Sequence, residues 1–289
     1  MLRSVSRRKP SIMLVGSGNL AQALGPALHR AGYSITAIVS RDDASSRRRA
    51  AALSRKVRAE VVGLAEAVPE ADIIWLCHTD DALAETARRL AKSGSWRGKM
   101  ALHSSGALTS DVLAPLRRAG ASVASLHPMM TFVTGTVPTM AEVPFAVEGD
   151  GRAVAAAKRV VKDLGAQVFE LKKQSRVLYH ALGSFSSPMV VAALVTAERV
   201  GKAAGLTEKQ TRAIMAPILR QTLANYLAGG AAAAFSGPIR RGDLETVRRH
   251  LKELRRVPAA LEVYRALVRS ALLDLPSVRK KELLKLLGG

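Results

Sequence analysis

The chain has 289 residues and a mass of 30.7 kDa, with 48% hydrophobic and 23% charged residues. That is enough for two domains with their own cores, and it excludes a peptide hormone, a disulfide-stapled mini-protein and a wholly disordered chain. Forty-four Lys and Arg against 23 Asp and Glu leave a formal charge of +21, which makes nucleic acid the first rival to a small-molecule enzyme. Cys77 is the single cysteine and the six histidines show no metal-ligand spacing, so neither a disulfide nor a bound metal is expected, and a reducing cytoplasmic compartment is.

The start, Met1 to Pro10, is basic and lacks the apolar stretch of a secretory signal, which predicts a loose tail. Ser11 to Val15 is an apolar run of strand length that leads directly into Gly16-Ser17-Gly18-Asn19-Leu20-Ala21. Leu20, Leu24, Leu28 and Ala31 then recur at helical spacing, and Gly32 is placed to end that helix before a second strand, Ser34 to Val39. The alternation continues with strands at Arg58 to Val61 and Asp72 to Cys77, a helix from about Asp80 to Ala91, and a strand at Met100 to His103. A helix near Thr109 to Arg118 precedes the strand Ser122 to Leu126; Phe145 to Val147 and Gln167 to Phe169 bracket a helix from about Arg152 to Leu164. Parallel strands with crossover helices are the economical solution, an α/β doubly wound sheet.

From Lys172 onward the periodicity is helical only, broken at Gly205, Gly229-Gly230, Gly237-Pro238, Gly242, Pro258 and Pro276. This predicts a dinucleotide-binding domain over 11–170 and an all-helical domain over 171–289. The richest apolar stretch, Pro188 to Ala197, ends at Glu198-Arg199 and falls short of the roughly 18 residues that span a bilayer, so no membrane partner is expected.

Gly16, Gly18 and Ala21 fit the glycine-rich dinucleotide fingerprint, with Ala in the third position. Gly16 permits a tight turn, Gly18 leaves room for a pyrophosphate, and Ala21 lets helix and strand pack closely. Asn19 and Leu20 open the helix, whose N-terminus presents free N–H groups and a positive dipole end to phosphates. The second strand ends at Ser40-Arg41, followed by Arg47, Arg48 and Arg49; a hydroxyl plus a guanidinium suits a 2′-phosphate, so NADP is expected over NAD, while Asp42 or Asp43 leaves a ribose contact open. His78 and Thr79 leave the fourth strand at the same edge, where His78 is placed to line the cofactor pocket and Thr79 or Asp80 to cap a helix.

Two further segments reach that edge: His103-Ser104-Ser105-Gly106 after the fifth strand, and Ser125-Leu126-His127-Pro128 at the end of the sixth. Their histidines and serines suit hydrogen bonding to a carbonyl or carboxylate, or proton transfer near neutral pH. His103 is the candidate for catalysis, Ser104 for the cofactor, and Ser105 and His127 for substrate. No Ser-His-acid order with a nucleophile elbow is present, which sets hydrolysis aside.

Taken together, GSGNLAQALGPALHRAGY, HSSGAL, SLHPMMTF, PFAVEGD, LYHALGSFSSP and GPIRRGD with TVRRHL resemble the Rossmann-like proteins with a helical DUF2520 C-terminal domain, from about Ser11 to Ala271. That family is similar to pyrroline-5-carboxylate reductase, F420-dependent NADP reductase and β-hydroxyacid dehydrogenases, and an alternative ketopantoate reductase belongs to it. The resemblance implies a 6-phosphogluconate-dehydrogenase-like helical domain whose first long helix faces the nicotinamide. It also implies a catalytic Lys and a nearby Asn; this sequence has Arg176 and Pro188 there. A guanidinium binds anions but is a poor acid, so the proton-donor candidates become His180 and Tyr179. Arg240 or Arg241, in the expected loop before a helix capped by Asp243, is a candidate for a substrate carboxylate.

The reading is NADP-dependent hydride transfer to a carbonyl or imine of a small anionic metabolite, with ketopantoate the most concrete substrate. Pyrroline-5-carboxylate or another imino acid and F420 are the alternatives, and a non-catalytic NADP sensor is a third class. Basic residues scattered over both domains, without an aromatic reading surface, argue against specific nucleic-acid binding, and several apolar helix faces predict a homodimer.

Overall fold

The computed structural model describes residues 8–134 and 138–288, so the expected tail up to residue 7 lies outside the described residues. The chain divides into two compact units, Met1–Ser184 and Phe185–Gly289. The division falls later than residue 170, because the helix that follows the sheet is tied to it by hydrogen bonds from Arg176 and Tyr179.

In the first unit, β1 (Ile12–Val15), α1 (Asn19–Arg30), β2 (Ile35–Ser40), α2 (Ala44–Val57) and β3 (Glu60–Gly63) follow in order. They lead to β4 (Ile73–Leu76), α3 (Asp80–Leu90), β5 (Met100–His103), α4 (Ala114–Arg118) and β6 (Ser122–Pro128). β7 (Pro144–Gly149), α5 (Gly151–Asp163), β8 (Gln167–Glu170) and α6 (Arg176–Ser186) complete the unit and lead out of it. The eight strands form one sheet in the order β3-β2-β1-β4-β5-β6-β7-β8. Its chain reversal about β1 puts the carboxyl ends of β1 and β4 side by side, at the switch point where open α/β sheets bind ligands.

All pairs are parallel except β6 with β7, which run antiparallel, with His127 opposite Ala146. This corrects the all-parallel expectation. The segment between them holds one short 3₁₀ turn, Met140–Glu142, and no crossover helix among the described residues, so β7 returns antiparallel beside β6.

β1, β4 and β5 are buried on both faces, as their unbroken apolar sequences require. Leu14, Trp75, Leu102 and Phe145 pack under α1, α2 and α5 with Leu24, Leu53 and Val160, whereas Val15, Ile74, Leu76 and Ala101 pack under α3 and α4 with Leu83 and Leu116. Each fully buried Leu or Ile contributes about 1.5–3 kcal/mol, so these two layers fix the sheet edge on which the site is built.

The second unit is all helical: α7 (Pro188–Ala203), α8 (Glu208–Ala234), α9 (Gly237–Arg241), α10 (Leu244–Glu253), α11 (Pro258–Asp274) and α12 (Lys280–Leu286). Thr207 and Gln210 form a capping box that starts α8. The expected loop at Gly237–Asp243 is instead the short helix α9, stopped by Gly242 at φ 68°; Asp243 then caps α10 as expected, accepting from Thr246 N at 3.1 Å. The core here is small, with Val247, Val268, Leu272 and Leu283 at its centre.

The count of apolar stretches needs correction as well. The helical stretch Lys173–Ala203, interrupted by a non-helical Ser187, is long and apolar enough to cross a bilayer by length and composition alone, and its most apolar part is not buried. The count from Pro188 to Ala197 missed it by stopping at the break between α6 and α7.

Candidate functional site

The Gly16 turn is held by Gly16 N–H, which donates to the Val39 carbonyl at 2.8 Å. Gly16 sits at φ +114°, and a Cβ there would stand 3.0 Å from the Cys77 carbonyl and 3.1 Å from the His78 ring, so only glycine fits. Gly18 is the N-cap of α1, and a Cβ on it would meet no protein atom within 4 Å. The space above Gly18 is therefore not demanded by the protein's own packing. No side chain caps α1 and no acidic residue lies in its first turn, which leaves the N–H groups of Asn19, Leu20 and Ala21 directed at that space. These residues fit a pyrophosphate. The Asn19 side chain is engaged elsewhere, donating to the Phe132 carbonyl at 2.9 Å, so Asn19 offers its backbone alone, and Ala21 is fully buried against the sheet.

At the end of β2, Ser40 is buried and Arg41 is exposed. Asp43 is committed to capping α2, accepting from Ser46 N at 2.8 Å, and Asp42 pairs with Arg47 at 3.2 Å. Of the two carboxylates left open for a ribose, one is thus engaged as a helix cap. His78 stands beside Gly16 with its Nδ1 buried and unpartnered; burial, and then the charge of Arg41, push its pKa down to about 4. Thr79 is exposed at the start of α3, where its side chain bonds Asp81 and does not cap the helix backbone.

The residues after β5 divide into two groups. His103 is completely buried: its Nδ1 accepts from Ser105 N–H at 3.1 Å and its Nε2 faces the Thr109 carbonyl at 3.1 Å. Both ring nitrogens are used, which fixes the Nε2–H tautomer, and burial followed by the charge of Arg176 pushes the pKa down to about 3. His103 is thus a neutral staple of the turn and not an acid or base, which corrects its catalytic assignment. Ser105 is corrected in the same way, since its buried hydroxyl accepts from Leu108 N at 2.9 Å and Ala107 N at 3.2 Å. Ser104 remains half-exposed, its hydroxyl accepting from Trp75 Nε1 at 2.8 Å, next to the end of β4.

Arg176 is 1% exposed, on the first turn of α6. Its Nη2 donates to the Ser105 carbonyl at 2.5 Å and to the Ser125 hydroxyl, while Nε and Nη1 are buried without a partner among the described residues. The guanidinium joins the turn after β5, the middle of β6 and α6, and it lies 5.9 Å from the Tyr179 ring centroid. It is a buried tie and does not reach the surface to meet a substrate, as the sequence reading had supposed.

The groups that face outward are His127, Tyr179 and His180. His127 Nδ1 lies 3.0 Å from the Tyr179 hydroxyl, with the rings edge to face, and the His180 ring is 6.4 Å from that of His127. Gly106 lets them converge: a Cβ there would come within 2.5 Å of His180 and 2.8 Å of His127 Nε2. Gly183 does the same for α6 against Met129, at 2.6 Å. Burial, then the charges of Arg176 and His180, push His127 down to about 4, and burial pushes Tyr179 up to about 12. At neutral pH the pair is an uncharged imidazole hydrogen-bonded to an un-ionised phenol.

Sequence reasoning gave no role to Gly106 or to the buried Glu148, whose carboxylate accepts from Ser110 N and Oγ at 2.6 and 2.8 Å. Arg240 and Arg241 lie on α9 in the second unit. There Arg240 Nη1 donates to the Ala232 and Phe235 carbonyls at 3.1 and 2.8 Å, which gives it a helix-capping role in place of a substrate contact.

Two stretches match known domains: a Rossmann-like domain over residues 3–128, and the domain of unknown function DUF2520 over residues 143–271, which begins within the sheet unit at β7 and runs on into the helical unit. The chain is a Rossmann-like domain followed by a DUF2520 domain. Among solved structures it resembles Bacteroides fragilis BF3122, named only provisionally as an NADP oxidoreductase, at 26% identity and a TM-score of 0.75, over 91% of this chain and 98% of that one. It shares its fold with the imine reductase of Myxococcus stipitatus, in complex with NADP+, at 17% identity and a TM-score of 0.66, over 91% of this chain and 94% of that one. It also shares it with the pyrroline-5-carboxylate reductase of Coxiella burnetii, at 13% identity and a TM-score of 0.58, over 91% and 95% of the two chains. No curated protein matches the chain. The fold of this Rossmann-like and DUF2520 chain is therefore one shared with NADP-dependent oxidoreductases.

Proposed function

We propose that the chain is an NADP-dependent reductase acting on the carbonyl or imine of a small anionic metabolite. The observation that carries this reading is the Gly16–Ala21 turn, whose free N–H groups and space above Gly18 meet the switch point of the sheet. Ser40 and Arg41 are the residues for a 2′-phosphate, while His78, Thr79 and Ser104 border the strand ends where a nicotinamide would lie. A reduced nicotinamide supplies the hydride, and the protein must then supply a proton and orientation.

The Tyr179 hydroxyl and His127 suit that task. A phenol held un-ionised donates its proton to a developing alkoxide or amine and recovers it through the imidazole 3.0 Å away. His180, exposed on the same helix, is the second polar group at the mouth. With Arg176 buried, the anionic part of the substrate has to be met by exposed groups. Ketopantoate is the first substrate to test. The imine reductase and pyrroline-5-carboxylate reductase among the structural neighbours favour an imino acid as the second. The test follows NADPH consumption with ketopantoate, pyrroline-5-carboxylate and a panel of keto and imino acids. Turnover of one of them supports the reading, and NADPH binding without turnover of any supports the sensor alternative.

The same reading includes a homodimer formed through the helical unit. α8 buries Thr211 alone, while Ile214, Ile218, Leu223 and Leu227 on it and Met189, Val190 and Val191 on α7 are exposed. Monomeric proteins rarely leave so large an apolar surface uncovered. A second copy offers the same apolar side chains in return, the isologous arrangement of a twofold dimer. Light scattering that gives twice the chain mass supports this; a monomer, or flotation with lipid vesicles, opposes it.

A further inference from the structure

The edge of the sheet opposite the Gly16 turn, where β1, β4 and β5 begin, holds a cleft of about 450 Å³ lined by Arg8, Tyr33, Asp72, Met100, Arg152 and Arg159, among others. Arg152, Ala155, Ala156 and Arg159 lie on one face of α5, at the spacing that places two guanidinium groups above a floor of small apolar side chains. Arg152 Nη2 donates to the Gly98 carbonyl at 2.8 Å, which fixes the side chain at the cleft wall. Arg8, Arg152 and Arg159 have no ion-pair partner among the described residues.

The nearby carboxylates feel two of these cations, Asp72 the charge of Arg8 and Asp163 that of Arg159, and each also has closer donors of its own. Asp72 Oδ2 accepts from Ser11 N at 2.8 Å and Ser11 Oγ at 3.0 Å, and Asp163 takes Lys9 at 2.7 Å and the Tyr33 hydroxyl at 2.8 Å. Three cations against the one carboxylate in the lining leave an excess of two positive charges facing one cavity.

We propose that this cleft binds a small phosphorylated metabolite, at a second site separate from the dinucleotide turn. Guanidinium groups match phosphate oxygens in pairs, and the volume falls within the usual range for small-molecule pockets while exceeding what an inorganic ion fills. A concave wall with an apolar floor at Met100, Pro10 and Ala156 suits the carbon skeleton of such a ligand better than it suits a nucleic-acid backbone.

The test titrates the full chain with 3-phosphoglycerate and with fructose 1,6-bisphosphate by calorimetry. The wild type, the double variant Arg152→Gln and Arg159→Gln, the variant Gly18→Ala, and a charge control with Arg248→Gln and Arg249→Gln on α10 are compared, each with its melting temperature. The expected result is saturable binding of at least one probe in wild type, Gly18→Ala and the charge control, weakened at least about tenfold in the Arg152 and Arg159 variant. No binding overturns the proposal, as does binding lost in Gly18→Ala but kept in the Arg152 and Arg159 variant, or an equal loss in the charge control. A dodecamer oligonucleotide that binds in dependence on Arg152 and Arg159, when neither small probe does, also overturns it. Because Gly18→Ala strikes the dinucleotide turn and the double variant does not, failure of this site and failure of the reductase reading are told apart.

Discussion

His127 Nδ1 and the Tyr179 hydroxyl lie 3.0 Å apart, joining the end of β6 to the first turns of α6. The contact couples a phenol whose pKa is pushed up to about 12 to an imidazole pushed down to about 4, both chiefly by burial. Neither group carries charge at neutral pH, so the pair can pass a proton outward without leaving a buried ion in its resting state.

Replacing Tyr179 by Phe removes the hydroxyl and keeps the ring. The expected outcome is a loss of about 10²–10⁴ in kcat with NADPH affinity unchanged, since the variant removes the proton donor and leaves the Gly16 turn as it is. His127→Asn should give a smaller loss, and the double variant should fall short of the product of the two, as residues acting as one unit do. Steady-state kinetics together with NADPH titration check this; an additive double variant contradicts it.

The buried histidines set an acid limit. His103, His127 and His78 have folded-state pKa values of about 3, 4 and 4, below the ordinary 6.5 they would regain on unfolding. The unfolded chain therefore binds more protons below pH 6.5, and stability is full above that value and falls as pH drops through the window from 6.5 to about 3. Each fully buried site costs on the order of a few kcal/mol across that window. Denaturant melts at a series of pH values test the sign. His103→Gln is expected to flatten the acid slope; a slope unchanged in that variant argues against the assignment.

Much of this arrangement was legible in the sequence. The unbroken apolar runs at Ile12–Val15 and Ile73–Leu76 can only be central strands, and Gly16 and Gly18 mark the tight turn from β1 into α1. Which way a residue at a strand end faces was not legible. His103 ends a strand buried on both sides and His127 ends one that pairs antiparallel with β7, so one ring turns into the core and the other toward the edge. The fate of Arg176 was hidden for a related reason: its partners, the Ser105 carbonyl and the Ser125 hydroxyl, are far away in sequence. The break at Ser187 and the short helix α9 went unread because Gly and Pro mark helix ends and loops alike.

Arg176→Ala leaves the Ser105 carbonyl and Ser125 hydroxyl without their donor and opens a cavity among the turn, β6 and α6. A destabilisation of about 2–4 kcal/mol is expected, read from denaturant midpoints at constant slope. An unchanged midpoint would show that the guanidinium is not the tie described above.

Gly16→Ala must hold φ +114° with a Cβ pressed against the Cys77 carbonyl at 3.0 Å. This variant is expected to lose about 1–3 kcal/mol of stability along with cofactor binding. Thermal melting without cofactor measures the first part alone, and an unshifted melt contradicts it.

The most direct test is a side-by-side titration of NADPH and NADH against the wild type, Gly18→Ala and Arg41→Ala, with melting temperatures recorded. Because a Cβ at Gly18 meets no protein atom, Gly18→Ala should fold normally and yet bind NADPH at least about tenfold more weakly. Arg41→Ala should narrow the preference of the wild type for NADPH over NADH by about tenfold. Absence of NADPH binding in the wild type, or equal NADPH affinity in wild type and Gly18→Ala, would contradict the assignment of the Gly16–Ala21 turn as the cofactor site, and the reductase reading with it.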